Sequence, residues 1–253
     1  MKKPEAEKER VFQEHVVDVY RQIAGHFSAT RYAPWPEVVW FSTLLPKGGI
    51  VLDVGCGNGR HSVFLAGEGF RVVGLDIVEE LLSAAKSRAR TTGVESRTEF
   101  VAGDARKLPF RDGQFDGVLC VAVLHHIPTR KGRLEVLWEM WRVLKTGGVG
   151  LVSVWSTEEE RYRTTPRPEG GDSGDRLVPW TRSLDGKVFH RYYHFFTEKE
   201  FKELLAETPW KDSAVFSHAA NLHAVIEKED EKHGRFDMEK IPSEWEGWKP
   251  SKR

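Results

Sequence analysis

Residues 51–59 read Val-Leu-Asp-Val-Gly-Cys-Gly-Asn-Gly, which predicts a β-strand that runs directly into a glycine loop. The apolar residues before the loop are typical of a strand buried on both faces. Gly55, Gly57 and Gly59 have no Cβ, so the backbone can turn sharply there and approach a ligand closely. A dinucleotide fingerprint requires G-x-G-x-x-G, whereas this loop is G-x-G-x-G with Asp53 two residues ahead. The loop therefore favours a cationic or amino-bearing ligand over a pyrophosphate.

Downstream of the loop, short apolar runs alternate with amphipathic segments. We expect helices at 60–67, at 77–91 and before the Gly147-Gly148 pair, with an antiparallel strand pair at 215–217 and 221–226 near the end. Parallel strands are expected at 71–75, 98–102, 117–121 and 149–155. Such alternation predicts an α/β fold with a seven-stranded, mostly parallel sheet, helices on both faces and a ligand crevice at the carboxyl ends of the strands.

Three acidic residues, Asp53, Asp76 and Asp104, lie at the ends of three successive predicted strands. Asp76 follows the last loop glycine at the distance where nucleotide cofactors have their ribose hydroxyls bound. One such aspartate alone is more often a helix cap or a turn residue. Three together favour a nucleotide-like ligand.

Composition excludes several classes of protein. Lys and Arg number 38 and Asp and Glu number 38, so nucleic-acid binding would need a local basic patch. Cys56 and Cys120, the two cysteines, lack zinc-site spacing and are expected to be small buried residues in a reduced, cytoplasmic protein without a bound metal. The sequence has no run of 18 apolar residues that would predict a membrane span.

The motifs of residues 48–156 together resemble class I S-adenosylmethionine-dependent methyltransferases, which have a Rossmann-like fold. The resemblance rests on Asp53-x-Gly-Cys-Gly-x-Gly, Asp76, Gly103-Asp-Ala, Phe115-Asp116 and Lys145-x-Gly-Gly. It implies that the loop passes the methionine part of the cofactor, that Asp53 orients its amino group directly or through water, that Asp76 binds the ribose and that Asp104-Ala105 lies along the adenine. The implied cofactor residues are Asp53, Gly55, Cys56, Gly57, Asn58, Gly59, Asp76, Ile77, Asp104, Ala105 and Val121.

The flanking blocks resemble the family of tRNA wobble-uridine carboxymethyl methyltransferases. The blocks are 15–20, 23–28, 30–36, the pair His125-His126, 177–180 and 191–194. The resemblance implies methyl esterification of 5-carboxymethyl-type uridine in the tRNA anticodon region. Because a carboxylate is already a deprotonated nucleophile, positioning dominates this reaction. The expected catalytic residues are Arg31, His126 and Arg191, and the expected substrate-binding residues are Tyr32, Trp35, Tyr192, Tyr193 and His194.

Eukaryotic members of that family work with a small zinc-binding activator protein. An edge strand at 98–102 would offer unpaired backbone groups to such a partner, with Leu81 and Leu82 of the neighbouring helix as contacts. Five arginines between 157 and 188 are expected to form a mobile basic loop that meets tRNA phosphates: Arg161, Arg163, Arg167, Arg176 and Arg182.

The expected organisation is an N-terminal helix and substrate-side loop at 1–45, a methyltransferase domain at 46–226 with a polar insert at 157–188, and a charged tail at 227–253. The helix should end near Phe27, and its apolar face should dock on the core. In the tail, Trp245 and Trp248 are candidates to dock on the body or on a partner. His125 is expected to be hydrogen-bonded to backbone.

Two other classes stay open at this stage. A small-molecule methyltransferase acting on a quinone or sterol ring would share every core motif, but would not require the blocks at 30–36 and 191–194. A non-catalytic scaffold would bind S-adenosylmethionine without turning it over.

Overall fold

The computed structural model describes residues 5–162, 164–182, 185–229, 238–243 and 245. Its helices are α1 Glu5–Thr30, α2 Pro36–Ser42, α3 Arg60–Gly67, α4 Glu79–Thr91, α5 Arg130–Val143 and α6 Glu198–Ala206. Its strands are β1 Ile50–Val54, β2 Arg71–Asp76, β3 Thr98–Ala102, β4 Phe115–Val121, β5 Leu144–Trp155, β6 Asp175–Thr181, β7 Val188–His194, β8 Ala214–His218 and β9 Asn221–Glu227.

Seven strands form one sheet in the order β3-β2-β1-β4-β5-β9-β8. The first five are parallel to one another, whereas β9 pairs antiparallel with β5 and β8 pairs antiparallel with β9. The sheet confirms the predicted α/β class and leaves β3 at an edge. The carboxyl ends of β1, β2 and β4 meet at one rim, where a crevice is expected in this topology.

Helices cover both faces of the sheet. Consecutive residues of its central strands point to opposite sides and are therefore buried in two different clusters. Leu52 and Val118 pack into the cluster under α5 and α6, and Val51 and Leu119 pack into the cluster under α2 and α3. This arrangement accounts for the uninterrupted apolar run before the glycine loop. Among the described residues, every helix is too short or too polar to traverse a lipid bilayer.

The N-terminal segment is more helical than predicted. Helix α1 continues to Thr30 instead of ending near Phe27, because the first proline after it is Pro34. The predicted loop at 28–36 then gives way to α2, which has Pro36 at its first position, where the missing N–H costs nothing. Val19 and Ile23 dock the predicted apolar face of α1 on the body.

The predicted mobile loop at 157–188 is wrong in its second half. Strands β6 and β7 form an antiparallel two-stranded sheet with Asp175 opposite His194 and Thr181 opposite Val188. Its turn is held by an ion pair between Arg182 and Asp185 at 2.5 Å. Because β6 pairs only with β7, its strand character depends on that partner and not on its own composition. Arg163 and Trp248 lie outside the described residues, whereas Trp245 packs on Phe216 of the body.

Candidate functional site

A cleft of about 1020 Å³, counted out to its open mouth, lies at the carboxyl ends of β1, β2 and β4. We call it the main cleft. Helix α1 forms its roof, with Gln13, Val16, Val17, Tyr20 and Phe27 facing inward. Predicted cofactor residues that line it are Gly55, Cys56, Gly57, Asn58, Asp76, Ile77, Asp104, Ala105 and Val121. The structure therefore brings most of the predicted set to one cavity, whereas Asp53 and Gly59 do not line it.

The glycine loop requires glycine for two separate reasons. Gly55, Gly57 and Gly59 all have positive φ, at 68°, 54° and 73°, where other residues are strained. A Cβ on Gly55 would also lie 2.2 Å from a methyl carbon of Val123. A Cβ on Gly57 would instead lie 3.7 Å from the ring of Phe27, which is an ordinary van der Waals contact. The backbone at Gly57 is thus the part of the loop that a ligand can approach.

Asp76 lies at the end of β2 with its carboxylate on the cleft wall. One oxygen accepts a hydrogen bond from the Gly57 N–H at 2.8 Å and the other from the Val78 N–H at 2.9 Å. Burial raises the pKa of Asp76 against the pull of these two donors. Each carboxylate oxygen keeps a further lone pair, so the residue can still accept from a ligand hydroxyl. Beside it, Ile77 is 40% exposed and offers an apolar surface to a planar ring.

Asp53 lies beneath the glycine loop and does not line the main cleft. Its side chain is buried and accepts a hydrogen bond from the Ser62 hydroxyl at 2.6 Å. Burial raises the pKa of Asp53 to about 7, since the charged form loses its hydration. The glycine loop lies between the Asp53 carboxyl group and the main cleft. With a pKa of about 7, this buried group is partly ionised at neutral pH.

Asp104 is hydrogen-bonded to α1, the helix that covers the main cleft. Its carboxylate accepts from Gln13 of α1 at 3.0 Å and pairs with Arg106 at 2.6 Å, and Arg106 also pairs with Glu9 of α1. Burial works against ionisation, but the Arg106 and Gln13 donors hold the pKa of Asp104 below its ordinary value. This cluster ties α1 down over the cleft, a role that sequence reasoning did not assign to Asp104.

A second cavity, the side cleft, lies beside the end of α1 and the β6-β7 hairpin. It is lined by His26, Thr30, Arg31, Trp155, Glu159, Arg161, Tyr162, Pro179, Trp180, Thr181 and Arg191. The indole of Trp180 lies between two guanidinium groups, with the Arg31 carbon 5.2 Å and the Arg191 carbon 4.7 Å from its ring centroid. Arginines around aromatic rings suit a flat, anionic ligand.

Arg31 is positioned through its backbone. Its carbonyl accepts hydrogen bonds from the Asn58 amide at 2.7 Å and from the Arg88 guanidinium at 2.8 Å. Asn58 belongs to the glycine loop of the main cleft, so this hydrogen bond fixes the position of Arg31 at the side cleft. This contact explains why a buried asparagine stands within the loop.

Arg191 is 4% exposed, and its guanidinium forms no ion pair with a carboxylate among the described residues. It donates to the Tyr193 hydroxyl at 2.7 Å, and its Nε has no hydrogen-bond partner. A buried cation without an anion is costly, and the complement it lacks is a negative charge.

A hydrogen-bonded chain of side chains, which we call the wall, runs from the side cleft to the main cleft. Arg191 donates to Tyr193, the Tyr193 hydroxyl lies 3.4 Å from that of Tyr20, and the Tyr20 hydroxyl lies 3.0 Å from Nε2 of His126. Nδ1 of His126 donates to the Tyr192 carbonyl at 2.9 Å, so Nε2 is the acceptor for Tyr20. Burial lowers the pKa of His126 to about 3. His126 is therefore neutral and orients Tyr20, and its predicted contact with the substrate stays a prediction.

The structure places the other predicted substrate residues differently. Tyr192 and His194 are buried, and both bond to Asp175, so the prediction that they face the substrate is wrong. Tyr193 is buried in the wall. Tyr32 is 77% exposed outside both clefts, and Trp35 packs under the Arg60 guanidinium.

Sequence reasoning missed Tyr20 and Trp180 as site residues. Tyr20 was counted as core because it belongs to the apolar stripe of α1, yet a tyrosine on such a stripe carries a hydroxyl that needs a partner. Trp180 belongs to the block at 177–180 and received no role. His125, expected to bond to backbone, accepts from the Trp155 N–H at 3.3 Å. Cys56 and Cys120 are buried, as expected.

Known proteins match both the sequence and the fold. A methyltransferase domain family matches residues 51–148. A tRNA (carboxymethyluridine(34)-5-O)-methyltransferase of Schizosaccharomyces pombe is 32% identical over 210 residues, which cover 76% of this chain and 86% of that protein. One of Xenopus tropicalis is 31% identical over 242 residues, covering 76% of this chain. A crystal structure of a SAM-dependent methyltransferase from Methanosarcina mazei superposes with a TM-score of 0.63 at 25% identity, covering 79% of this chain and all of that one.

The chain spans 37% of the Xenopus protein and 22% and 21% of two mammalian relatives of the same description. It spans most of the yeast protein, and the residues matched include the glycine loop and the strands around the main cleft. The chain therefore belongs to the family of tRNA (carboxymethyluridine(34)-5-O)-methyltransferases.

Proposed function

We propose that this chain transfers a methyl group from S-adenosylmethionine to the carboxylate of 5-carboxymethyl-type uridine at the anticodon wobble position of tRNA. The observation that carries the choice of acceptor is Arg191, a buried guanidinium without a carboxylate partner in the described part of the chain, which faces a cleft of aromatic and arginine side chains. The family membership and the chemistry of both clefts support the same reaction.

The main cleft fits the cofactor in its donor set and its shape. Asp76 offers carboxylate oxygens for the ribose hydroxyls, Ile77 and Val121 offer apolar surface for the adenine, and Gly57 leaves its backbone open to the methionine part. Asp53 lies beneath the loop with a pKa of about 7, so a cationic ligand would favour its charged form, whereas a pyrophosphate would disfavour it. When bound, the cofactor supplies an electrophilic methyl carbon on a sulfonium.

The side cleft suits the acceptor. Arg191 and Arg31, which both lie against the ring of Trp180, would bind its carboxylate, and the aromatic side chains that line the cleft would pack against an extruded pyrimidine. Arg161 at the rim can contact tRNA phosphate, which adds affinity without sequence information.

The residues of the wall position groups and do not exchange protons with the substrate. A carboxylate needs no general base, and His126, held neutral and bonded at both ring nitrogens, offers none. Tyr20 and Tyr193 fix the orientation of Arg191, so the acceptor oxygen is aligned before transfer. Exclusion of water by the aromatic wall limits hydration of the carboxylate.

The proposal is tested by methylation with labelled S-adenosylmethionine on tRNA that carries 5-carboxymethyluridine, with the same tRNA lacking the modification as control, followed by nucleoside mass spectrometry. We expect a methyl ester on the modified uridine alone. Methylation of a quinone or sterol in place of tRNA would indicate a small-molecule enzyme, and cofactor binding without turnover would indicate a scaffold.

We also propose a cytoplasmic location and a small zinc-binding activator protein as a partner on β3, which has one unpaired edge in the described sheet. Leu81 and Leu82 are no part of that surface because both are buried, Leu81 beneath α1. The division into an N-terminal segment at 1–45, a methyltransferase domain at 46–226 and a tail at 227–253 remains a proposal as well. Co-purification of the activator with the wild-type chain but not with a Phe100→Lys variant would support the β3 contact.

A further inference from the structure

Three side chains with metal-binding atoms meet on the side of the sheet that faces α2. Glu37 of α2, His218 of β8 and His223 of β9 each offer one ligand atom, and the three atoms lie within 4.8 Å of one another. Oε1 of Glu37 lies 2.5 Å from Nδ1 of His218 and 3.3 Å from Nε2 of His223. The cluster lines neither the main cleft nor the side cleft.

A second observation points to a missing partner at this place. Glu37 is 2% exposed, and its other oxygen, Oε2, is buried without a hydrogen-bond partner in the described part of the chain. A buried carboxylate oxygen ordinarily accepts at least one hydrogen bond or binds a cation. Among the described residues, Glu37 pairs with His218 and His223 and with no lysine or arginine.

The arrangement has the remaining features of a transition-metal site. Nδ1 of His223 lies 2.8 Å from the Ser153 hydroxyl, which leaves Nε2 facing the cluster with its ring orientation fixed by the opposite nitrogen. His218 is held by the indole of Trp245, which stacks on it at 5.1 Å. Ligand atoms around a tetrahedral Zn²⁺ stand roughly 3.3 Å apart, so Nε2 of His223 and Oε1 of Glu37 are already at that separation, whereas Nδ1 of His218 would move away from Glu37.

We propose that Glu37, His218 and His223 bind a divalent transition-metal ion such as Zn²⁺, with an oxygen from water completing the shell. Two imidazoles and a carboxylate are ligands that Zn²⁺ accepts. No metal was expected from the sequence because Cys56 and Cys120 lack zinc-site spacing. Positions 37, 218 and 223 are brought together by the pairing of β8 with β9 and the packing of α2 on the sheet.

The ion would act as a structural clip. It joins α2 to β8 and β9, which are adjacent strands at the edge of the sheet opposite β3. Helix α2 directly follows the segment that contains Arg31, so the metal would anchor that segment to the sheet. Binding to the folded state alone raises stability by mass action.

The test uses the full chain, stripped with a chelator and then titrated separately with Zn²⁺ and Co²⁺. We expect about one equivalent of metal, visible d-d bands for Co²⁺ and a higher Tm with Zn²⁺. His218→Asn should lose these three effects, with affinity lower by at least about 100-fold, since a ligand counts for more than its supporting partner. His190→Asn, an exposed histidine of β7, is the matched control and should bind as the wild type does.

A conservative variant keeps the test informative if His218→Asn does not fold. Ser153→Ala keeps all three ligands and removes the partner of His223, so we expect affinity to fall about 10- to 100-fold. The proposal is overturned if the wild-type chain binds far less than one equivalent, or if the ligand and Ser153 variants bind metal as well as His190→Asn does.

Discussion

The main cleft and the side cleft differ in how far the protein satisfies its own charges. In the main cleft, Asp76 accepts two backbone N–H groups and Asp104 pairs with Arg106. In the side cleft, Arg191 is buried with an unpaired Nε and without a carboxylate within reach in the described structure. The first is a preformed cavity, whereas the second contains a buried cation that an anionic ligand would neutralise. Affinity for the cofactor and selection of the acceptor therefore belong to different groups of residues.

The two clefts communicate through one hydrogen-bonded chain. Tyr20 of the roof helix links His126, which faces the main cleft, with Tyr193, which holds Arg191 in the side cleft. A helix that closes over the cofactor thus also orders the acceptor site. The comparison predicts that variants of Asp76 and Arg191, which both leave Tyr20 in place, impair binding in their own cleft.

Arg191→Met gives the largest expected effect on turnover. Truncating one partner of a buried charge pair costs about 2–5 kcal/mol, so methylation of carboxymethyluridine tRNA should fall on the order of a hundredfold or more. Binding of S-adenosylhomocysteine, measured by calorimetry, should stay at the wild-type value. The ligand-free variant should melt at the same or a higher temperature, because a buried unpaired cation has been removed.

The control for that variant is Arg130→Met, which removes an exposed guanidinium paired with Glu207. It should leave turnover and cofactor binding unchanged. Equal activity of Arg191→Met and Arg130→Met would show that the side cleft does not select the acceptor.

Asp76→Asn should affect the main cleft alone. The amide keeps one acceptor oxygen but places an NH₂ group against a backbone N–H, which costs about 1–3 kcal/mol. We expect S-adenosylhomocysteine affinity to fall about ten- to a hundredfold by calorimetry, with tRNA binding unchanged by filter retention. Asp112→Asn, at an exposed position, is the control, and equal losses in both variants would contradict the ribose assignment.

Asp53→Asn should change how stability depends on pH. The folded-state pKa of Asp53, about 7, lies above its unfolded value, so the wild type loses stability as pH rises from about 4 to about 7. The loss is up to about 1.4 kcal/mol per pH unit. Asparagine does not titrate, so urea unfolding should find the variant more stable at pH 8, with a smaller gain at pH 5. An identical difference at both pH values would mean that Asp53 is already ionised in the folded protein.

Much of the main cleft could be predicted because its residues follow one another along the chain. The loop at 51–59 contains its own strand, turn and helix start, and the predicted β3 has the observed bounds of Thr98–Ala102. Asp53 was assigned correctly to the glycine loop but not to the layer beneath it, because depth depends on packing by Ser62 from the next helix.

The side cleft could be predicted only in part. Arg31 and Arg191 were chosen as candidates and do line one cavity, although 160 residues separate them in the sequence. Tyr192 and His194 were assigned to the substrate with Arg191, yet alternation along β7 turns them toward Asp175 in the core. Which residues of an aromatic block face a ligand depends on the register of β6 with β7, and register is a tertiary property.

The sequence alone determined the α/β class, the order of the elements from β1 to β5 and the glycine loop, because these follow from local periodicity and from the backbone freedom of glycine. Only the tertiary structure decided that α1 covers the cofactor crevice, that His126 is neutral and that Arg191 is buried without an anion. Those properties depend on burial and on partners far apart in the chain. The loop at 51–59 lines the main cleft, whereas we propose that the acceptor binds in the side cleft.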